Sequence, residues 1–278
     1  MTPPPKEPIL EVAGVTLRFG GVTALDSVSF SVLPHEVYAI VGPNGGGKSS
    51  MLNVLNGFYR PQEGSVVVAG VSVVGRPPHT MAKKGIGRTF QNMHLFAGMS
   101  VLMNLMTARG VHMKSGIFRA AFRPLGIREE ARHRQVVEEV IDFVGLQEYR
   151  HAPVESLGYG VRKRVDLARA LCLQPKLLLL DEPLAGMTLE EREDIARLVL
   201  DVRAERGVTV VMVEHDMGVV TDICDRALVL DWGKKIAEGA PQQVLARPEV
   251  IAAYLGGSAE DEEPSPEEPT RRTVVGTS

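Results

Sequence analysis

Cysteine is scarce. The 278 residues include two, Cys172 and Cys224, far apart and in apolar settings (ARALCLQP and TDICDRAL). No CxxC pair exists, so a disulfide framework and a thiolate metal centre are excluded; two reduced core residues of a cytosolic protein are expected. Long apolar runs are missing too, and none approaches the ~18 residues that span a bilayer. The opening MTPPPKEP lacks the basic-then-apolar order of a secretory signal, so none is expected. Charge of one sign is not in excess: the net charge is −3, which gives no electrostatic case for nucleic acid. There is no internal repeat and no sustained heptad. A role at a membrane therefore requires docking on another subunit.

Hydrophobic residues make up 44% of the chain, enough core for one large α/β domain or two modest ones. Residues 1–8 read as a Pro-rich arm. ILEVAGVTLRF and ALDSVSFSV alternate as strands do, and EVYAIV is a buried-strand run leading straight into a Gly-rich turn. A helix is expected from Lys48 to about Phe58, then strands in VVVAGVSV turning at Gly70. From Asn92 to about Pro175 the pattern is helical, with breaks near Gly110, Gly116 and Pro124, and REEARHRQVVEEVIDFVGL ends at Gly145. KLLLLDEP and VTVVMVEHD are further buried strands, with LEEREDIARLVLDVRAERG helical between them. RALVLDWGKKIAEG reads as a hairpin turning at Asp231–Gly233. The tail from Ser258, with AEDEEPSPEEP, has little to bury and is expected to be disordered. The plan is an α/β core interrupted by a helical insert at 92–175. Ligand sites then belong at the C-terminal ends of its parallel strands.

GPNGGGKSS, the run Gly42, Pro43, Asn44, Gly45, Gly46, Gly47, Lys48, Ser49, Ser50, fits G-x-x-x-x-G-K-[ST]. Small residues let backbone N–H groups wrap a β-phosphate, and a helix starting at Lys48 aims its positive end there. Lys48 neutralises the β- and γ-phosphates and Ser49 holds Mg²⁺. In LLLLDEP, Asp181 ends a buried strand where a carboxylate reaches the metal, and Glu182 is placed as general base on a water. A water, a base and Mg²⁺ point to hydrolysis of ATP. An ordinary Gly-rich turn, or a solvated strand end, is the plain alternative for each half; together the two halves disfavour it.

At this point the chain resembles the nucleotide-binding subunit of an ABC transporter, over residues 9–256. The resemblance implies a P-loop NTPase (RecA-like) core with an antiparallel β subdomain and a helical insert. It implies ATP and Mg²⁺ as ligands. RFGG puts Phe19 where the family stacks an aromatic on adenine, with a plain core strand residue as the alternative. GRTFQNMHLF puts Gln91 at the family's Gln loop, which touches Mg²⁺ and links the site to the membrane partner. VEHDM puts His215 at the switch histidine that contacts the γ-phosphate. AGMT, Ala185–Thr188, stands at the D-loop, commonly SALD, without its Asp. RFGGVTAL, GIGRTFQNMHLF, AGM, EHDMGVVTDICDR and PEVIAAYLGG together look like the ATPase of branched-chain amino acid importers, whose relatives serve urea and amides.

The family's signature, commonly LSGGQ, corresponds here to Leu157, Gly158, Tyr159, Gly160 and Val161. Gly158 replaces the Ser that donates to a γ-phosphate, at a cost of roughly 1.5–3 kcal/mol if nothing compensates. Gly158, Gly160 and the helix start behind them can still meet an anion through backbone N–H groups. Tyr159 is shared with branched-chain-type relatives. The resemblance implies a head-to-tail pair with a second ATPase chain, different or identical, with asymmetric sites. It also implies transmembrane permease subunits, a solute-binding protein acting indirectly, and a peripheral place on the cytoplasmic face of the inner membrane. The Met- and Phe-rich stretch MSVLMNLMTARGVHMKSGIFRAAF is either a docking surface for those permeases or ordinary helical core. Arg162, Lys163 and Arg164 are expected to be solvated or near phosphate. A non-transport ABC ATPase and a regulatory nucleotide binder are the competing functions; the single cassette, the lack of heptads and intact Lys48, Asp181 and Glu182 weigh against them.

Overall fold

Four short runs, Val37–Val41 (β3), Leu177–Asp181 (β7), Thr209–Val213 (β8) and Arg226–Asp231 (β9), are apolar at odd and even positions alike. Such strands are stable only where both faces of a sheet are covered. In the computed structural model, which describes residues 7–89, 93–112 and 123–257, all four lie inside one six-stranded sheet. Its order is β10-β9-β3-β8-β7-β6, with Ile86–Arg88 (β6) and Lys234–Gly239 (β10) at the edges. Every neighbouring pair is parallel except β9 with β10, a hairpin that turns through Trp232 and Gly233, both at positive φ.

The side-chain period of two divides the core in two. Ala39, Leu178, Leu180, Val210, Met212 and Val229 face one cluster, while Tyr38, Ile40, Leu179, Val211, Leu228 and Leu230 face the other. The second face is covered by helix α1 (Lys48–Leu55) and by an antiparallel sheet of Leu10–Phe19 (β1), Val22–Val32 (β2), Glu63–Val68 (β4) and Val71–Ser72 (β5), in order β2-β1-β4-β5. The first face is covered by helices. After the short α2 (Pro78–Lys83) come α3 (Val101–Arg109), α4 (Arg123–Phe143), α5 (Tyr159–Leu171) and α6 (Leu189–Arg206). Met217–Ile223 (α7), Pro241–Leu245 (α8) and Pro248–Gly257 (α9) complete the chain.

Local chemistry explains most boundaries. Thr188 and Glu191 form a reciprocal capping box at the start of α6, and Gly207 at φ 63 closes it. Asp216 caps α7 by accepting from Gly218 and Val219 N–H. Two expectations shift. The helix after the phosphate loop stops at Leu55, because Gly57 turns left-handed at φ 73. Strand β6 lies in a stretch, GIGRTF, too short and too charged to declare itself; it adds to the sheet only by pairing with β7. The acidic tail from Ser258 lies outside the described residues.

Candidate functional site

The sheet order sets β3, β8 and β7 side by side. Asp181 pairs with Val213, and Val213 pairs with Ile40, so the three strands end level. The next residues along each strand emerge together across about 10 Å of sheet edge. They are the phosphate loop, Glu214 with His215, and Glu182.

In the phosphate loop, packing demands the glycines as strictly as any ligand could. A Cβ on Gly42 would sit 1.9 Å from the Leu230 carbonyl oxygen, and one on Gly46 would sit 2.7 Å from it. One on Gly47, which has φ 102, would meet the Ala24 carbonyl oxygen at 2.7 Å. The loop is thus pressed against the β9–β10 turn, where Gly233 N–H donates to Gly46 O at 3.0 Å. Pro43, Asn44 and Gly45 form its outer bend, with Asn44 and Gly45 exposed. Lys48 opens α1 and is 8% exposed. Its Nζ donates to Gly42 O (2.8 Å) and Pro43 O (2.9 Å). Burial lowers its pKa and the Glu182 carboxylate opposes that. Ser49, exposed, and Ser50 follow in the first turn.

Asp181 is buried at the end of β7, and its Oδ2 takes a 3.0 Å ion pair from Arg88 of β6. Arg88 also donates to Asn53 Oδ1 of α1 at 2.7 Å, tying three elements together. Sequence reasoning missed Arg88; the available signal was a cation flanked by GIG and TF, a setting with few polar partners. Asp181 Oδ1 is buried and, among the described residues, accepts no hydrogen bond. An acceptor left open costs free energy unless a cation or ordered water meets it. With the Ser49 hydroxyl, it supplies the hard oxygen donors that suit Mg²⁺. Among the described residues no group of three or more His, Cys, Asp or Glu could hold a metal.

Glu182 adopts φ 47, a left-handed conformation that is strained for a non-glycine residue. Its N–H donates to Val213 O at 3.1 Å. Glu214 is buried beside it, accepting from Leu184 N–H (3.1 Å) and His215 N–H (3.3 Å). Burial raises the Glu214 pKa, the two N–H groups oppose this, and the Glu182 charge adds to it. His215 is exposed at the same edge. Lys48, Asp181, Glu182 and His215 are therefore gathered as the motifs suggested, and Glu214 is an addition.

The other candidates come from other elements. Phe19 is 45% exposed at the end of β1, its ring edge-on to Tyr59 with centroids 4.9 Å apart. Gln91 lies outside the described residues. Gly158 caps α5 with open space around it, while the nearest atoms to a Cβ on Gly160 belong to Glu191 of α6, at 2.3 Å. The basic cluster is not a solvated face. Lys163 is buried and donates to Glu182 O at 3.3 Å, and Arg164 pairs with Asp194. Helix α5 turns that side toward β7 and α6, so packing overrides the usual exposure of adjacent cations.

Comparisons with known proteins agree with this geometry. The family model described as ABC transporter matches residues 25–185, and that described as branched-chain amino acid ATP-binding cassette transporter matches residues 234–260. The chain is 38% identical over 250 residues to the high-affinity branched-chain amino acid transport ATP-binding protein BraF of Pseudomonas aeruginosa, covering 90% of this chain and 98% of that one. It is 35% identical over 251 residues to LivG of Escherichia coli, with the same coverage. A crystal structure of the ADP conformation of an ATP-binding cassette of an ABC transporter superposes with a TM-score of 0.80 at 32% identity, over 90% of this chain and all of that one. The phosphate loop, the Asp181–Glu182 strand end and this likeness over 90% of the chain together mean that it belongs to the ABC transporter family, as an ATP-binding ATPase subunit of the branched-chain amino acid type.

Proposed function

We propose that this chain hydrolyses ATP to drive import of branched-chain amino acids or related small polar solutes such as urea and amides. The observation that carries the reading is the convergence of Lys48, Asp181, Glu182, Glu214 and His215 on three adjacent strand ends. Lys48 Nζ exchanges its two backbone carbonyl acceptors for phosphate oxygens, a stronger, charge-assisted pairing. The N–H groups of the loop and of the first turn of α1 take the β-phosphate. Glu182 accepts a proton from the attacking water. His215, on the neighbouring strand end, donates to the γ-phosphate, and Glu214 orients it through its backbone. Ser49, Asp181 and Gln91 are assigned to Mg²⁺, which supplies charge neutralisation across the phosphates when bound. Phe19 is assigned to the adenine face, and Gly158 and Gly160 to the partner's nucleotide.

The same reading places the chain in a pair with a second ATPase chain, different or identical, beneath transmembrane permease subunits that receive solute from a binding protein. Among the described residues no helix is long and apolar enough to cross a membrane. Attachment at the cytoplasmic face then runs through the helical segment 92–175, where Phe96, Met99 and Met103 are exposed; adaptable Met side chains suit a moving contact. Trp232 offers a direct binding assay, because its turn is hydrogen-bonded to the phosphate loop. Mg-ATP should change the fluorescence of wild type and of Glu182→Gln alike, while hydrolysis is lost only in Glu182→Gln. Wild-type hydrolysis by Glu182→Gln would sink the assignment.

A further inference from the structure

Two segments of this chain depart from the common family pattern, LGYGV at 157–161 and AGMT at 185–188, and they touch each other. The Tyr159 hydroxyl donates to Ala185 O at 3.2 Å. Gly186 has φ 75, and a Cβ there would lie 3.4 Å from the Tyr159 ring and hydroxyl. A side chain at 186 would therefore be strained by its backbone, and its Cβ would lie in contact with the ring. One turn along α5, Lys163 Nζ lies 5.8 Å from the Tyr159 ring centroid and donates to Glu182 O. Gly160 faces the carboxyl end of the Glu191 side chain, which is itself held by Thr188 N–H and hydroxyl at 3.0 and 3.2 Å.

The first two turns of α5 thus hold the loop 182–188 at two points: its start at the Glu182 carbonyl and its middle at the Ala185 carbonyl. Glu182 holds a left-handed backbone, which persists only when its surroundings impose it. We propose that Tyr159 and Lys163 are positioning residues for Glu182. They fix the loop 182–188 of their own chain, so that the altered signature and the altered loop work as one fitted unit. Tyr159 packs against Gly186, whose left-handed backbone favours glycine. The departure at 159 is then a replacement contact within the chain, and the site it tunes is the one built on this chain's own phosphate loop.

The proposal rests on Glu182 being the general base, and the experiment separates the two ideas. Full-length Tyr159→Phe, Lys163→Met, Lys163→Arg and Glu182→Gln are compared with wild type in steady-state ATP hydrolysis and in amide hydrogen exchange of a peptide spanning 182–188. Tyr159→Phe removes one oxygen and leaves the ring. It should lower kcat by about 2- to 10-fold, and Lys163→Met by about 10-fold or more, with KM for ATP within about twofold. Exchange in 182–188 should rise in both, and Lys163→Arg should restore both readouts. Unchanged exchange in Tyr159→Phe and Lys163→Met overturns the proposal. So does kcat within twofold of wild type, or a fall that only tracks lost thermal stability. Hydrolysis that survives Glu182→Gln overturns the underlying assignment instead, whatever the exchange data show.

Discussion

Gly42 and Gly158 both sit just ahead of a helix in a glycine-rich turn, yet their surroundings differ completely. A Cβ on Gly42 would overlap the Leu230 carbonyl at 1.9 Å, and the residue has φ 145; at Gly158 nothing lies within 4 Å and φ is −61. The phosphate loop is a packed part of the sheet, cemented to the β9–β10 turn. The signature's first glycine is an open position on a helix cap. Chemical function and packing therefore coincide in the first region and separate in the second, where Gly158 has free space and Gly160 faces the flexible end of the Glu191 side chain.

The sharpest way to break the comparison is to add one methyl to each. Gly42→Ala should cost about 3–5 kcal/mol, combining overlap with backbone strain, whereas Gly158→Ala should stay within about 1 kcal/mol. Denaturant unfolding followed by Trp232 fluorescence measures both, and equal losses would void the distinction. Next in size, Arg88→Met strips Asp181 of its buried ion pair and should cost about 3 kcal/mol, with weaker dependence of ATP hydrolysis on Mg²⁺ saturation.

Acid should then act unequally on the phosphate loop and on the helical insert. Beneath the helices, His133 Nδ1 accepts from Arg109 Nε at 3.1 Å. Burial and the Arg109 charge hold the His133 pKa below its usual value of 6.5. The unfolded chain therefore binds a proton at a pH where the folded chain does not. This contribution is fully present above about pH 6.5 and is lost as pH falls toward the folded value. Hydrogen exchange in α3 and α4 should rise between pH 7 and 5 before that of α1, where the buried cation is Lys48, and His133→Gln should flatten the difference. The smallest effect belongs to Gly158→Ser. Space is free and φ and ψ suit an N-cap, so the variant should gain a few tenths of a kcal/mol. It should also strengthen any ATP-dependent pairing seen by size exclusion; no change in pairing would mean that the segment does not meet a phosphate.

Much of the site was legible because its motifs are local. A strand run, a Gly-rich turn and Lys48–Ser49 are contiguous, and Asp181–Glu182 and His215 each follow an unmistakable buried strand. Arg88 was not, since its meaning depends on β6 joining β7 and thereby meeting Asp181 and Asn53. The burial of Lys163 in the basic run 162–164 was not legible either, because charge suggests solvent until a neighbouring helix and a strand-end carbonyl are known. Gly160 could be assigned only to anion binding while Glu191, 31 residues further along, was unseen.

The sequence by itself determined the buried strands β3, β7 and β8, because apolar runs without alternation must be buried on both faces. It also determined the helix starts at Lys48 and Leu189, which capping and glycine chemistry specify within a few residues. Only the tertiary structure decided which strand ends are neighbours, and hence that Lys48, Glu182 and Glu214 share one electrostatic neighbourhood. The same holds for Tyr159, whose partner at Ala185 is 26 residues away. Periodicity and caps are written in adjacent residues, whereas sheet order and helix approach arise from burying two apolar faces at once, a condition that involves the whole chain.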